Sequence, residues 1–174
     1  MCTGRATPLA RLQPENGYAG RMSIVMEFLY QLRRTLLRRL RWRTRGVKVM
    51  LFNRAGELLL IRNSYGRTDV FTLPGGGIGM FETPTAAALR EVREEVGVTA
   101  EKLTLRSIHF SEAEGKRDTV HLFTAYSASE PKADSVEVEE ARFFALDRLP
   151  EPVSPAVLRR IAEYRGERPV EPRW

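Results

Sequence analysis

Glu91, Glu94 and Glu95 stand at i, i+3 and i+4 within TAAALREVREEVGV. That segment reads as a helix, so the three carboxylates project from one helical face. Like charges at this spacing destabilise a helix by about 0.2–0.5 kcal/mol per pair. A hard divalent cation such as Mg²⁺, Mn²⁺ or Ca²⁺ removes the penalty, because carboxylate oxygens are the ligands these ions take. On the triplet alone, an acidic face exposed to water is the plainer reading. The preceding loop, Gly75-Gly76-Gly77, shifts the balance. Consecutive glycines expose backbone groups and let a carbonyl or amide approach an ion or phosphate closely.

A carboxylate cluster works only if the helix is held. Thr83 suits the N-cap, Pro84 the first helical position and Gly97 the C′ position. Ala88, Leu89, Val92 and Val96 form the adjoining apolar face that anchors this helix on a core. Around it the period changes to that of strands. Val47–Asn53 and Glu57–Arg62 read as a hairpin closed by Arg54-Ala55-Gly56. Val70–Leu73 is a short strand that runs into Pro74 and the glycines. Further strands are expected at Leu103–Phe110, Thr119–Ser127 and Ala141–Leu146, and a last helix at Pro155–Tyr164. Strands surrounding one early and one late helix predict an α+β sandwich.

At this point residues 76–98 resemble the Nudix box, G-x5-E-x7-R-E-U-x-E-E-x-G-U with U aliphatic. Gly76, Glu82, Arg90, Glu91, Val92, Glu94, Glu95, Gly97 and Val98 fill every specified place at the required spacing, and Leu73-Pro74-Gly75-Gly76 is a common entry to it. The resemblance implies an α/β/α sandwich of mixed sheet carrying a loop-helix-loop. It also implies hydrolysis of a nucleoside diphosphate linked to another moiety, through Mg²⁺ or Mn²⁺. Carried over by position, Glu91, Glu94 and Glu95 supply metal carboxylates and Gly75 a carbonyl ligand. Arg90 pairs with a box carboxylate and orients it, and Glu82 braces the loop-helix-loop or reaches the metals through water. Glu91, Arg90 and Glu94 are then the catalytic group. The general base is Glu91 or an acid from a later loop, among Glu112, Glu114, Glu137, Glu139 and Glu140. Two places depart from many relatives: Gly79 stands where Glu is common, and Phe81 where Gly is common. Arg62, ending the second strand, is the candidate phosphate contact; a solvated strand-end arginine is its plainer role. His109 and His121 have strand-like surroundings and read as structural. Tyr65 and Phe71 either stack on a base or pack in the core.

Two other functions are compatible with the same fold. An isopentenyl-diphosphate isomerase uses an active-site cysteine, and the only cysteine here is Cys2, far from the box. A nucleotide-binding or regulatory module without turnover usually loses box carboxylates, all of which are present.

The 174 residues suffice for one core with appendages, and a single cysteine excludes an intrachain disulfide scaffold and points to a reducing compartment. The net charge of +6 is unevenly spread. Residues 1–45 hold ten Arg against two acids, whereas residues 46–174 hold 18 basic and 20 acidic groups. The high isoelectric point therefore belongs to the N-terminal segment and gives no argument for nucleic-acid binding by the main body. No apolar run reaches the roughly 18 residues of a membrane span, and the start lacks a signal-peptide core, so a cytoplasmic location is expected. The organisation reads as a flexible lead (1–22), a basic amphipathic helix (23–45), the hydrolase domain (46–165) and a tail (166–174). In the helix, Val25, Phe28, Leu29, Leu32, Leu36 and Leu40 share one face, with Arg34, Arg38 and Arg41 pointing away. Such a stripe packs on the sheet or on a second subunit in a homodimer. Alternatively, residues 24–45 meet a membrane surface or RNA.

Overall fold

Val47, Val49 and Leu51 alternate with Met50 and Phe52, and all five side chains are buried. A strand apolar on both faces belongs in the middle of a sheet with a layer on either side. The computed structural model, which describes residues 43–66, 68–111, 117–133 and 136–174, places it there. β1 (Arg43–Phe52), β2 (Leu58–Asn63), β3 (Glu101–Ser111), β4 (Arg117–Tyr126) and β5 (Val138–Phe144) form one sheet in the order β3-β4-β1-β2-β5. α1 (Pro84–Val96) and α2 (Pro155–Tyr164) cover its two faces. β1 and β4 are parallel, in register from Arg43↔Arg117 to Phe52↔Tyr126; the other pairs are antiparallel. The mixed sheet between two helix layers bears out the expected sandwich.

The two cores follow the strand alternation. Val47, Val49, Leu51, Leu59 and Ile61 meet Ala87, Ala88, Val92 and Val96 of α1 on one side. On the other, Met50, Phe52, Leu58 and Leu60 meet Val157 and Ile161 of α2.

One split in this sheet builds the site. β1 and β2 pair only beside their hairpin, at Phe52↔Leu58. Farther along they part, and the chain leading to α1 fills the gap. Thr72 exchanges both backbone hydrogen bonds with Ile61 of β2, at 2.8 and 2.9 Å. Val49 then donates to Pro74 O (3.0 Å), Val47 to Gly76 O (2.9 Å) and Ile78 to Arg45 O (2.9 Å). The glycine loop is thus zipped onto the central strand.

Several expected boundaries are corrected. Residues 43–45, assigned to the basic helix, are strand, because their backbone pairs with 117–119 and Arg45 O is used by Ile78. The rest of that helix and the flexible lead lie outside the described residues. Val70–Leu73 forms isolated bridges instead of a strand. β5 starts at Val138, earlier than Ala141, and stops at Phe144. The expected tail is part of the fold: Phe110 N donates to Pro172 O (2.7 Å) and Trp174 N to Phe110 O (2.9 Å). Trp174 also packs against the α2-side core. No helix of the described residues is long and apolar enough to cross a membrane.

Candidate active site

The local rules that start and stop α1 aim its acidic face. Thr83 Oγ1 accepts from Ala86 N (3.1 Å), and Gly97 takes the left-handed conformation at φ 68°. Ala87, Ala88, Val92 and Val96 are buried as the core face, whereas Leu89, expected there, is 41% exposed. Glu91 and Glu95 border this face and are turned toward the glycine loop.

Glycine is required at that contact. Gly75 sits at φ 129°, and a Cβ there would lie 2.3 Å from Val47 O. A Cβ on Gly76 would lie 2.6 Å from Glu91 Oε1, so the missing side chain is the space the carboxylate occupies. Glu95 Oε2 accepts from Gly75 N at 2.7 Å.

Arg90 organises the remaining acids. Its Nε and Nη2 donate to the two oxygens of Glu82 at 2.8 and 2.9 Å, a bidentate pair. Nη2 also reaches Gly77 O (3.0 Å), and Nη1 reaches Glu91 Oε1 (2.8 Å) and Glu94 Oε2 (3.0 Å). Glu82 in turn accepts from Gly79 N (2.8 Å), so the glycine displaced to position 79 closes the loop on the same carboxylate. These bonds, Arg90 first, hold the Glu82 carboxyl down to about 2. The neighbouring Phe81 is 98% exposed.

The charge of Lys48 joins this group from β1. Its ammonium donates to Leu73 O (2.8 Å) and Gly75 O (2.6 Å). Burial depresses its pKa, against the attraction of Glu95 and Glu91. Burial raises both carboxylates in the opposite sense: Glu91 against the bonds from Arg90, and Glu95 against Lys48 and the Gly75 amide. Sequence reasoning missed Lys48. The available signal was a lone cation in Gly46-Val47-Lys48-Val49-Met50, a run otherwise fit for burial.

Of the predicted site residues, the fold brings together Gly75, Arg90, Glu91 and Glu95. Glu94 stays on the rim, its side chain 60% exposed. Arg62 is engaged elsewhere, paired with Glu140 (3.0 Å) and Glu139 (3.6 Å) of β5 and lying over the Phe71 ring at 5.6 Å. Among the candidate bases from later loops, Glu137 is the one whose charge is felt by Glu95; Glu112 and Glu114 lie outside the described residues. Phe71 is buried edge-on to Phe144, and the buried histidines serve the fold: His121 Nδ1 lies 3.3 Å from Gly46 O, and His109 belongs to a cluster with α2.

Among the described residues, no three acidic, His or Cys side chains are gathered closely enough to hold a metal as they stand. Arg90 and the Gly75 amide occupy carboxylate oxygens of Glu91 and Glu95, and Lys48 occupies the Gly75 carbonyl. The donor set nonetheless fits a hard divalent cation. Two enclosed carboxylates repel one another, both with raised proton affinity, beside a glycine cradle lined by backbone carbonyls.

Comparisons with known proteins place the chain by family and fold. The chain is 49% identical over 52 residues to an RNA pyrophosphohydrolase of Gluconobacter oxydans, 30% of this chain and 31% of the relative. It is 32% identical over 103 residues to an uncharacterized Nudix hydrolase of Pseudomonas aeruginosa, 57% and 61% of the two chains. It therefore spans about a third to three fifths of the length of these relatives. The crystal structure of a MutT Nudix hydrolase from Burkholderia pseudomallei superposes with a TM-score of 0.63 at 27% identity, covering 69% of this chain and 96% of that one. The family model of the NUDIX domain matches residues 42–164, from the first residues of β1 to the end of α2, and on this evidence the chain belongs to the Nudix family.

Proposed function

We propose that this chain is a hydrolase dependent on Mg²⁺ or Mn²⁺ that cleaves the diphosphate of a nucleoside diphosphate linked to another moiety. The observation that carries the reading is the pairing of Glu91 and Glu95, enclosed carboxylates held against Gly75 and Gly76 by donors from the chain itself. Glu91, Glu95, the rim carboxylate Glu94 and the Gly75 carbonyl would hold the cation. When bound, it supplies charge to neutralise the diphosphate and to acidify a water molecule.

The residues of the chain do the positioning. Arg90 fixes the rotamers of Glu91 and Glu94 while anchored on Glu82, so these carboxylates need little reorganisation on binding. The attacking water must lose a proton to a carboxylate. Glu91, with its raised proton affinity, and Glu137 both qualify. Arg62 would reach a substrate phosphate only through the part of its guanidinium left exposed beside its ion pairs with Glu139 and Glu140.

The test is incubation of the full chain with nucleotides, nucleotide sugars and 5′-triphosphorylated RNA in Mg²⁺, reading released phosphate products. RNA joins the panel because one relative is an RNA pyrophosphohydrolase. Turnover that vanishes without divalent cation supports the reading. Binding across the panel with no turnover identifies a nucleotide-sensing module instead.

A further inference from the structure

Lys48 lies outside the box, yet it is built into the same cluster. Gly75 is gripped at both ends: its amide donates to Glu95 Oε2 at 2.7 Å, and its carbonyl accepts from Lys48 Nζ at 2.6 Å. The ammonium spends a second donor on Leu73 O at 2.8 Å. Glu95 and Glu91 are the carboxylates whose charge acts on it. Its backbone cannot retreat, since Val47 N and Val49 N are tied to Gly76 O and Pro74 O, and Lys48 pairs across to Leu122 of β4. A buried ammonium with no carboxylate nearby is strongly disfavoured, and so is a buried carboxylate pair with no cation. Each explains the presence of the other.

We propose that Lys48 is a positioning residue that serves as the resident counter-cation of the Glu91–Glu95 pair, holding the Gly75 carbonyl and neutralising the carboxylates before a divalent ion enters. The inference rests on the metal-binding reading of this site. Entry of the ion is then a contest with a fixed positive charge for the Gly75 carbonyl and for the negative charge of Glu91 and Glu95, so Lys48 lowers metal affinity while keeping the metal-free site folded. A purely structural lysine would support the loop without setting that affinity.

The experiment measures Mn²⁺ binding to the full chain by electron paramagnetic resonance, together with Tm with and without Mg²⁺. Lys48→Met should bind Mn²⁺ at least about tenfold more tightly than wild type, from the loss of one nearby like charge. Its Tm should be lower without metal and should rise more than that of wild type when Mg²⁺ is added. Lys48→Arg, which keeps the charge, should stay within about threefold of the wild-type affinity. If Lys48→Met does not fold in metal-free buffer, Lys48→Gln is measured in the same way. Unchanged or weaker Mn²⁺ binding by the neutral variant overturns the inference alone. A wild-type chain that takes up no Mn²⁺, or a Glu95→Gln variant that binds as wild type does, overturns the metal-site reading beneath it.

Discussion

Arg90 distributes one guanidinium over Glu82, Glu91, Glu94 and the Gly77 carbonyl, so the acidic cluster is arranged before any ligand arrives. A lysine keeps the charge and loses the fork. Arg90→Lys should therefore lower kcat/KM by about 10–100-fold, the usual effect of losing a partner that orients a ligand, with Mn²⁺ affinity falling in parallel. Equal activity in the two proteins would show that the fork is dispensable. Glu95→Gln separates charge from shape. The amide oxygen still accepts from Gly75 N, and the burial cost of the charged carboxyl disappears together with the repulsion from Glu91, so Tm should hold or rise despite the lost attraction to Lys48. Turnover at saturating Mg²⁺ should drop by roughly a hundredfold or more, because the lost charge acts most strongly in the transition state. Near-normal turnover in this variant would remove Glu95 from the site.

At the level of elements, α1 is aimed by its ends. The Thr83 side chain satisfies one otherwise unpaired amide, and Gly97 returns the chain in a conformation costly for other residues. Thr83→Ala should cost about 1 kcal/mol in urea unfolding. Gly97→Ala, forced to a positive φ, should cost about 1–2 kcal/mol. Both residues lie outside the acidic cluster, so activity at a temperature where each variant is folded should change much less than stability. A large loss of kcat in Thr83→Ala at full folding would mean that the cap positions Glu82 and the loop as well as the helix.

Across the whole molecule, the C-terminal segment closes the edge of the sheet. Trp174 stacks edge-on to His109 (5.6 Å), and Arg160 donates to Arg173 O at 3.1 Å and to Glu163 at 2.6 Å. His109 Nδ1 lies 2.5 Å from Arg160 Nη1 and 2.8 Å from Glu171 O, and its Nε2 lies 2.7 Å from Ser107 Oγ. Deleting residues 172–174 should lower Tm by several degrees, since two backbone hydrogen bonds, the Trp174 packing and a partner of a buried arginine all disappear. An unchanged Tm would mark the segment as loosely docked. His109 also makes stability depend on pH. Burial first, and Arg160 second, lower its pKa below 6.5 in the folded chain. The unfolded chain then binds more protons in the window below 6.5, so stability is full above that value and falls on acidification. Tm should decline between pH 7.5 and 5.5, and His109→Gln should flatten that decline. The depressed Glu82 carboxyl acts lower, between about 4.5 and 2, so it does not account for this window.

Sequence alone determined what depends on short-range rules. The caps of α1, the span of α2, the hairpin at Arg54-Ala55-Gly56 and the spacing of Glu91, Glu94 and Glu95 are all written within a few residues, and they appear in the structure where expected. Strand limits were less legible, because Arg43–Arg45 are strand only by pairing with β4, and Val138 only by pairing with β2. The tertiary structure decided what depends on residues far apart in the chain. Helical spacing puts three carboxylates on one face, but the glycine loop, clamped to β1, is what encloses Glu91 and Glu95 and leaves Glu94 outside. Lys48 has no local pattern at all, since its partners lie 25 and 27 residues away. The last nine residues read as a polar tail because each is unremarkable alone. Only the buried Arg160 and His109, waiting on α2 and β3, give Arg173 and Trp174 something to complete.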